Sequence, residues 1–185
     1  MRCAVLAMDF QKSILAFLSE PSELLSRARD VCDTVRQRGG RVAFVRVGFF
    51  QQEVQAFPAH SAMGARIRAA GPNMHAESDM TAVHEALAPQ PQDIVVRKTR
   101  VGAFSTTNLH MRLKASGIDT LVLTGVHTSG VVLTTVREAH DLDFRVIVLS
   151  DCCADPDPQV HDFLCGRIFP KQATVCTAAE LHGSL

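Results

Sequence analysis

The sequence has no excess of either charge, because 19 Lys and Arg residues balance 19 Asp and Glu residues over 185 positions. A chain without a net field does not attract nucleic acid or an anionic membrane surface, so neither is an expected partner. A net charge near zero also weakens the repulsion between copies of a protein. We therefore expect a homo-oligomer, either a dimer or a tetramer.

The sequence also lacks long apolar runs. The apolar run at 3–8 is followed by Asp9, Gln11 and Lys12, and it is far too short to span a bilayer or to form a secretory leader. We therefore expect a cytoplasmic protein that has no membrane partner.

No C-x-x-C pair occurs among the six cysteines. The cysteines are Cys3, Cys32, Cys152, Cys153, Cys165 and Cys176. The vicinal pair Cys152-Cys153 is open to a redox or metal interpretation, but no histidine stands at ligand spacing from it. We expect reduced thiols that behave as small buried hydrophobic groups, with no metal and no other cofactor.

The composition is that of a folded globular protein, with 46% apolar and 21% charged residues. A chain of this length buries about 70% of its unfolded surface, so its core needs no metal or disulfide. The length predicts a single domain over residues 1–185.

Six short apolar runs alternate with stretches that are compatible with helix. The runs are Cys3–Met8, Val42–Val47, Asp93–Val96, Thr120–Thr124, Arg145–Leu149 and Ala173–Cys176. The fourth and fifth are nearly continuous in Val, Ile and Leu, which is typical of parallel strands that are covered on both faces. The alternation predicts an α/β fold with three α-β-α layers, in which a six-stranded parallel sheet is doubly wound and Rossmann-like.

Helical patterns occupy three of the stretches between these runs: Ser22–Arg38, Ser105–Ser116 and Thr128–Leu142. The first two end at glycine, a common helix stop. The segment 48–92 is irregular and rich in Gly and Pro, with one good helix candidate at Asp79–Leu87. We expect this insertion to be a lid or an oligomer contact.

Three polar positions follow predicted strands at their carboxyl ends, where open parallel sheets bind their ligands. Asp9 follows the first strand, Lys98 lies just past the third, and Gly125–Gly130 follows the fourth. The glycine pair lacks the lysine of a phosphate-binding loop. Taken singly, Asp9 fits a turn cap and Lys98 a solvated loop residue. Together they predict a carboxylate, an ammonium and a helix N-terminus in one crevice.

Three segments carry a resemblance to a known family. They read AVLAMDFQKSIL, VVRKTRVGAFSTTNLHMRLKASGIDTLVLTGVHTSG and GVHTSGVVLTTVREAHDLDFRVIVLSDCCAD. The chain resembles the isochorismatase-like cysteine hydrolases, which include nicotinamidases, N-carbamoyl amidohydrolases, ureido-type amidases and isochorismatase itself. The resemblance covers nearly the whole chain except 48–92.

The resemblance implies roles for individual residues. Asp9 and Lys98 correspond to the catalytic aspartate and lysine, and the candidate substrate-binding residues are Gln11, Phe104, Val126 and His127. A cis peptide is implied at Val126-His127, followed by a nest of N–H groups at the helix start that binds an oxyanion or a carboxylate. The loop after the second strand has no D-x-H pair, so the resemblance implies no metal.

One position departs from the family pattern. Where the cysteine hydrolases read T-x-x-C-V, this chain reads Thr128-Ser129-Gly130-Val131-Val132, which places Val131 in the register of the nucleophile. Valine has no lone pair, so thiolate chemistry is lost. Among possible substitutes, Ser129 points about 200° away on a helix, Thr128 fits an N-cap, and Cys152-Cys153 fits a structural role. A cysteine restored at position 131 is expected to react with iodoacetamide near neutral pH.

Two functions remain open. The first is a hydrolase of a small amide, ureido or enol-ether substrate that uses Asp9 as acid or base beside Lys98, as isochorismatase does without a cysteine. The second is a non-catalytic ligand-binding or scaffold homologue. The presence of both Asp9 and Lys98 favours the first, because a buried ion pair is costly. Val131 favours the second.

Overall fold

The computed structural model describes residues 2–184. Its centre is one six-stranded sheet in the order β3-β2-β1-β4-β5-β6. The strands are β1 (Cys3–Met8), β2 (Arg41–Val47), β3 (Ile94–Lys98), β4 (Thr120–Val126), β5 (Arg145–Ala154) and β6 (Thr174–Cys176). Every neighbouring pair is parallel. The predicted parallel sheet is therefore confirmed, and each predicted run overlaps one strand.

Helices cover both faces of the sheet. They are α1 (Lys12–Leu15), α2 (Ser22–Gln37), α3 (Gln51–Gln55), α4 (Ala62–Ala70), α5 (Leu109–Ala115), α6 (Leu133–Asp141), α7 (Pro158–Phe163) and α8 (Ala178–Ser184). One core cluster joins α2 and α8 to the sheet, and a second joins α5 and α6 to the opposite face. The predicted α-β-α layering is confirmed.

The apolar spacing of α2 explains how that helix docks. Its buried positions recur every three or four residues, so they form one stripe along the helix. They are Leu24, Leu25, Ala28, Val31, Cys32 and Val35. The stripe faces the buried side chains of β1, where all six residues are buried, as the uniformly apolar sequence predicted.

The other two predicted helices differ from the observed ones at their N-termini. The helix predicted from Ser105 begins at Leu109, because Thr106 and Thr107 hydrogen-bond within the preceding loop. The helix predicted from Thr128 begins with a π-helical turn, Thr128–Val132, before α6.

The helix predicted at Asp79–Leu87 is wrong. The structure has two separate 3₁₀ turns there, at Asp79–Thr81 and Glu85–Leu87. The residues between the turns are extended because Val83 bridges Gln11 and the backbone N–H of His84 donates to Phe10. The helices of the 48–92 segment are instead α3 and α4, which enclose a small apolar cluster of Val47, Phe49, Phe57 and Met74.

The strand order creates a crevice at one end of the sheet. From β1 the chain proceeds to β2 and β3 on one side, and then crosses to β4 on the other side of β1. The connections that leave β1 and β4 therefore diverge, and ligands of open α/β sheets bind at such a point. Both strands are in register up to the pair Met8 and Gly125.

Candidate active site

Asp9 and Lys98 form an ion pair at the carboxyl end of the sheet. Lys98 Nζ lies 2.9 Å from Asp9 Oδ2, and the two side chains are only 3% and 8% exposed. Lys98 ends β3, so its side chain reaches past β2, whose Val45 carbonyl accepts from the Asp9 backbone N–H. The predicted proximity of the two residues is confirmed.

The Asp9 backbone adopts an unusual conformation. Its φ of 59° lies in the left-handed region, which is uncommon for residues other than glycine. Such conformations persist where the surrounding structure enforces them and are frequent at functional sites. Asp9 Oδ1 is buried and has no hydrogen-bond partner among the described residues. One carboxylate oxygen is thus held by Lys98, and the other is left for a ligand or a proton.

All three N–H donors of the Lys98 ammonium have an acceptor. Besides Asp9 Oδ2, the carbonyl oxygens of Arg100 and Val101 lie 3.2 Å and 2.9 Å from Nζ. A lysine ammonium has three donors and no acceptor. Lys98 therefore has no N–H left for a substrate, and its contribution to the site passes through Asp9.

Burial raises the pKa of Asp9, and the charge and hydrogen bond of Lys98 oppose that rise. Removing a carboxylate from water disfavours its charged form, whereas a neighbouring cation favours it. A carboxyl group with a raised pKa holds a proton at a higher pH than an exposed aspartate. This is the condition that a general acid requires.

The end of β4 brings a second polar group to the crevice. The Val126-His127 peptide is cis, as the resemblance implied. Val126 is buried, and the half-buried His127 ring meets the edge of Phe17 at a centroid distance of 5.9 Å. Burial lowers the pKa of His127, with Asp155 opposing, and its Nε2 has no partner among the described residues. Burial therefore favours a neutral imidazole at this end of the sheet.

The expected nest of free N–H groups at the helix start is largely filled from within the protein. The backbone N–H and hydroxyl of Ser129 both donate to Asp155 Oδ2, at 2.8 Å and 2.7 Å. The N–H groups of Gly130 and Val132 donate to the His127 carbonyl. The prediction overlooked Asp155 because this residue follows β5 and meets Ser129 only in the folded chain. Three N–H groups are thus unavailable for an oxyanion.

Val131 lies in the apolar core next to this helix start. Its side chain is 2% exposed and packs in the cluster on the α5 and α6 face of the sheet. A methyl-bearing side chain completes the packing there and supplies no group that could react.

Thr128 is not the N-cap that the sequence suggested. Its buried hydroxyl lies 2.8 Å from His161 Nδ1, and Cys165 Sγ lies 3.7 Å from the other nitrogen of that ring. Sequence reasoning missed His161. The one signal was its position in the helix after β5, which starts at the same end of the sheet as the crevice.

The side-chain amide of Gln11, a predicted substrate-binding residue, makes its hydrogen bonds within the protein. Both protons of its amide donate, to the carbonyl oxygens of Val47 and Thr81, and its own oxygen accepts from the Val47 N–H. The side chain is 1% exposed, so no N–H group remains for a ligand. Gln11 instead ties the end of β2 to the 48–92 segment.

Phe104 also lies away from the predicted pocket. Its ring stacks on Phe144 at a centroid distance of 6.0 Å and meets His110 edge-on at 6.5 Å. Phe144 precedes β5, at the amino end of the sheet, whereas the crevice lies at the carboxyl end. The aromatic ring packs in the core cluster, so its position lends no support to the substrate contact predicted for Phe104.

The vicinal cysteines are core residues. Cys152 and Cys153 are both buried, and burial raises the pKa of each thiol. A protonated buried thiol is a poor nucleophile. Neither residue is suited to replace a cysteine at position 131.

A groove with a volume of about 700 Å³ adjoins the His127 region. It lies between the N-terminus of α2 and the segment that follows β5, and its walls include Phe17, Arg27, Asp151 and Asp155. We call it the α2 groove. Two of its wall residues, Phe17 and Asp155, are also neighbours of His127.

Within residues 2–184, no group of three or more His, Cys, Asp or Glu side chains is arranged to hold a metal ion. In the same range, no helix has the length and hydropathy needed to cross a membrane.

A comparison with protein families shows the family of this chain. The model of the isochorismatase domain matches residues 3–180. The chain belongs to the isochorismatase family. It is 29% identical over 185 residues to the isochorismatase family protein YecD of Escherichia coli O157:H7, covering 98% of this chain and 95% of YecD.

Two further relatives extend the comparison. The chain is 32% identical over 134 residues to a probable inactive nicotinamidase of Arabidopsis thaliana, covering 71% of this chain and 67% of that protein. The structure of an isochorismatase family protein from Burkholderia thailandensis superimposes with a TM-score of 0.87 at 28% identity, covering 100% of this chain and 95% of that one. The family is a hydrolase family, and small molecules are the expected substrates.

Proposed function

We propose that the protein is a small-molecule hydrolase that works without a cysteine nucleophile and uses Asp9 as general acid and base. The unpartnered Asp9 Oδ1 carries the proposal. Lys98 fixes the other oxygen, so Oδ1 is oriented and has no internal partner to compete with a substrate. The raised pKa of Asp9 lets this oxygen hold a proton that a substrate can receive.

The surroundings of Val131 support proton transfer over acyl transfer. An acyl-enzyme needs a nucleophile and donors for the oxyanion. Val131 supplies no nucleophile, and the N–H groups of Ser129, Gly130 and Val132 already have acceptors. A reaction that builds no oxyanion at the helix start suits this site better.

Among the three substrate types, an enol ether fits these requirements best. Asp9 gives its proton to the terminal vinyl carbon, which leaves an oxocarbenium ion. Water adds to the cationic carbon and returns a proton to Asp9, and the hemiketal then breaks into a ketone and an alcohol. No covalent enzyme intermediate and no oxyanion arise. The free nitrogen of neutral His127 is suited to orient the water or a substrate hydroxyl.

A second candidate function is ligand binding without turnover. The occupied helix start and the buried Val131 favour it, and one relative is itself described as a probable inactive nicotinamidase. The same crevice would then hold a small molecule against Asp9 Oδ1 without releasing a product.

A turnover screen separates the two functions. Purified protein is incubated with isochorismate, a panel of primary amides and a panel of ureido acids, beside Asp9→Asn and a mock preparation. We expect product from an enol ether in the wild type and none from Asp9→Asn. Binding by calorimetry without product, lost in Asp9→Asn, would establish the non-catalytic function instead.

A further inference from the structure

The loop that follows β3 wraps around the Lys98 ammonium. The carbonyl oxygens of Arg100 and Val101 accept from Nζ, so the loop backbone fixes the direction of the lysine. The loop is closed by the Thr106 hydroxyl, which accepts from the Thr99 N–H, and by the Thr107 hydroxyl, which donates to the Ala103 carbonyl. The position of these carbonyls therefore sets where the ammonium points.

Helix α6 holds this loop through two side chains. The hydroxyl of Thr135 accepts from the N–H of Ala103 at 3.2 Å, and both residues have no exposed surface. Glu138 Oε2 accepts from the N–H of Phe104, also at 3.2 Å. Residues three apart on a helix share one face, so Thr135 and Glu138 present two acceptors to consecutive loop N–H groups.

Gly102 completes the contact because it has no side chain. A Cβ at this position would overlap the Glu138 carboxyl group. Its φ is not in the left-handed region, so glycine serves the close approach of the loop to the helix and not an unusual backbone turn. A side chain at this position would therefore force the Glu138 carboxyl group to move, and the hydrogen bond from the Phe104 N–H depends on that group.

We propose that Thr135 and Glu138, together with Gly102, form a clamp that positions Lys98 against Asp9. Thr135 and Glu138 are positioning residues, since they act through the loop carbonyls and touch neither Asp9 nor the substrate. The helix that follows Val131 thereby also fixes the ion pair on the far side of the crevice. The inference rests on the proposed role of Asp9, but its test needs no substrate.

The experiment measures the pKa of Asp9 by carbon NMR of the labelled carboxyl group during a pH titration. Thr135→Val removes the acceptor while keeping a β-branched side chain of similar size, and Gly102→Ala independently displaces the Glu138 carboxyl group that accepts from the loop. Thr134→Val is the matched control, because the Thr134 hydroxyl donates to the Gly130 carbonyl within the helix and not to the loop. Thr135→Ser keeps the hydroxyl and serves as the rescue.

The Lys98 ammonium lowers the Asp9 pKa, and burial raises it. An ammonium that is held less firmly opposes burial less. We expect the Asp9 pKa to rise by about 0.5 unit or more in Thr135→Val and Gly102→Ala, and to match the wild type in Thr134→Val and Thr135→Ser. An unchanged pKa in both loop variants would overturn the clamp. Failure of both to fold, while Thr134→Val folds, would make these contacts structural and would overturn it as well. A rise in pKa without any turnover in the wild type would leave the clamp standing and contradict only the proposed function.

Discussion

Ser129 and Asp155 meet across the end of β4, where the backbone N–H and hydroxyl of Ser129 share one oxygen of the Asp155 carboxylate. Although burial opposes it, the hydrogen bonds from Ser129 lower the pKa of Asp155, so this carboxylate is ionised at neutral pH. A negative charge of the protein therefore lies against the N–H of Ser129 at the helix start.

Removing this carboxylate should open the helix start to external anions. In Asp155→Ala we expect the Ser129 amide resonance to shift on titration with acetate, because a helix N-terminus with a free N–H attracts anions. Losing the cap should also destabilise the protein by about 1 kcal/mol in urea. The matched control is Asp157→Ala, which removes a comparable cap from α7, where Asp157 accepts from Gln159. An acetate response that is equal in wild type, Asp155→Ala and Asp157→Ala would contradict this account.

The raised pKa of Asp9 fixes the direction of the pH dependence. A general acid must be protonated, so activity should be full at low pH and should fall as the pH rises through the Asp9 pKa. Because burial raises that pKa above the ordinary value of 3.8, the descending limb should lie above pH 3.8. The measurement is kcat/KM against pH in a range where circular dichroism shows a folded protein. If kcat/KM instead rose with increasing pH over this range, Asp9 would be assigned as the base of the slow step.

A cysteine restored at position 131 tests whether the helix start still activates a thiol. Val131 is 2% exposed, so Val131→Cys should fold at a cost under about 1.5 kcal/mol. Because Asp155 occupies the Ser129 N–H and adds a negative charge, we now expect the single variant to label slowly with iodoacetamide, contrary to the expectation from the sequence.

The double variant Val131→Cys with Asp155→Ala should label faster at residue 131 than the single variant, as measured by peptide mapping after brief alkylation. Cys165, which is partly exposed, is the internal reference. Rapid labelling of the single variant would show that Asp155 does not suppress reactivity there.

Substituting two phenylalanines should distinguish a residue that stabilises the core from one that contributes to ligand binding. Phe104 is 8% exposed within the core, whereas Phe17 is 65% exposed beside His127. We expect Phe104→Ala to lower the free energy of unfolding by about 3–5 kcal/mol. Phe17→Ala should cost under about 1 kcal/mol, but should change the affinity for any ligand of the crevice. Urea denaturation measures the free energy of unfolding, and calorimetry with the substrate found in the screen measures the affinity. The reverse pattern would restore the substrate contact first assigned to Phe104.

The sheet could be predicted from the sequence because parallel strands covered on both faces are nearly continuous in apolar residues, as in β4 and β5. The ion pair could be predicted because Asp9 and Lys98 each follow a strand, and the carboxyl ends of parallel strands meet at one edge. The family resemblance, in turn, implied the cis peptide after Val126.

The remaining features depend on contacts between distant segments. Asp155 and His161 reach the helix start from beyond β5, and Gln11 is held by carbonyl groups from β2 and from the 48–92 segment. The pattern at Asp79–Leu87 favoured a helix, but bridging to Gln11 requires extended backbone there. The helix or strand propensity of a short segment gives no information on such tertiary contacts.

The most direct test of the central claim compares turnover of the substrate found in the screen by three preparations: the wild type, the wild type with every accessible thiol alkylated, and Asp9→Asn. Product is measured by liquid chromatography with mass detection. The account predicts that alkylation leaves the rate unchanged and that Asp9→Asn lowers it by about 10²–10⁴-fold, the usual contribution of a positioned acid or base. Loss of activity on alkylation, or an Asp9→Asn variant as active as the wild type, would contradict a mechanism that relies on Asp9 and not on a thiol.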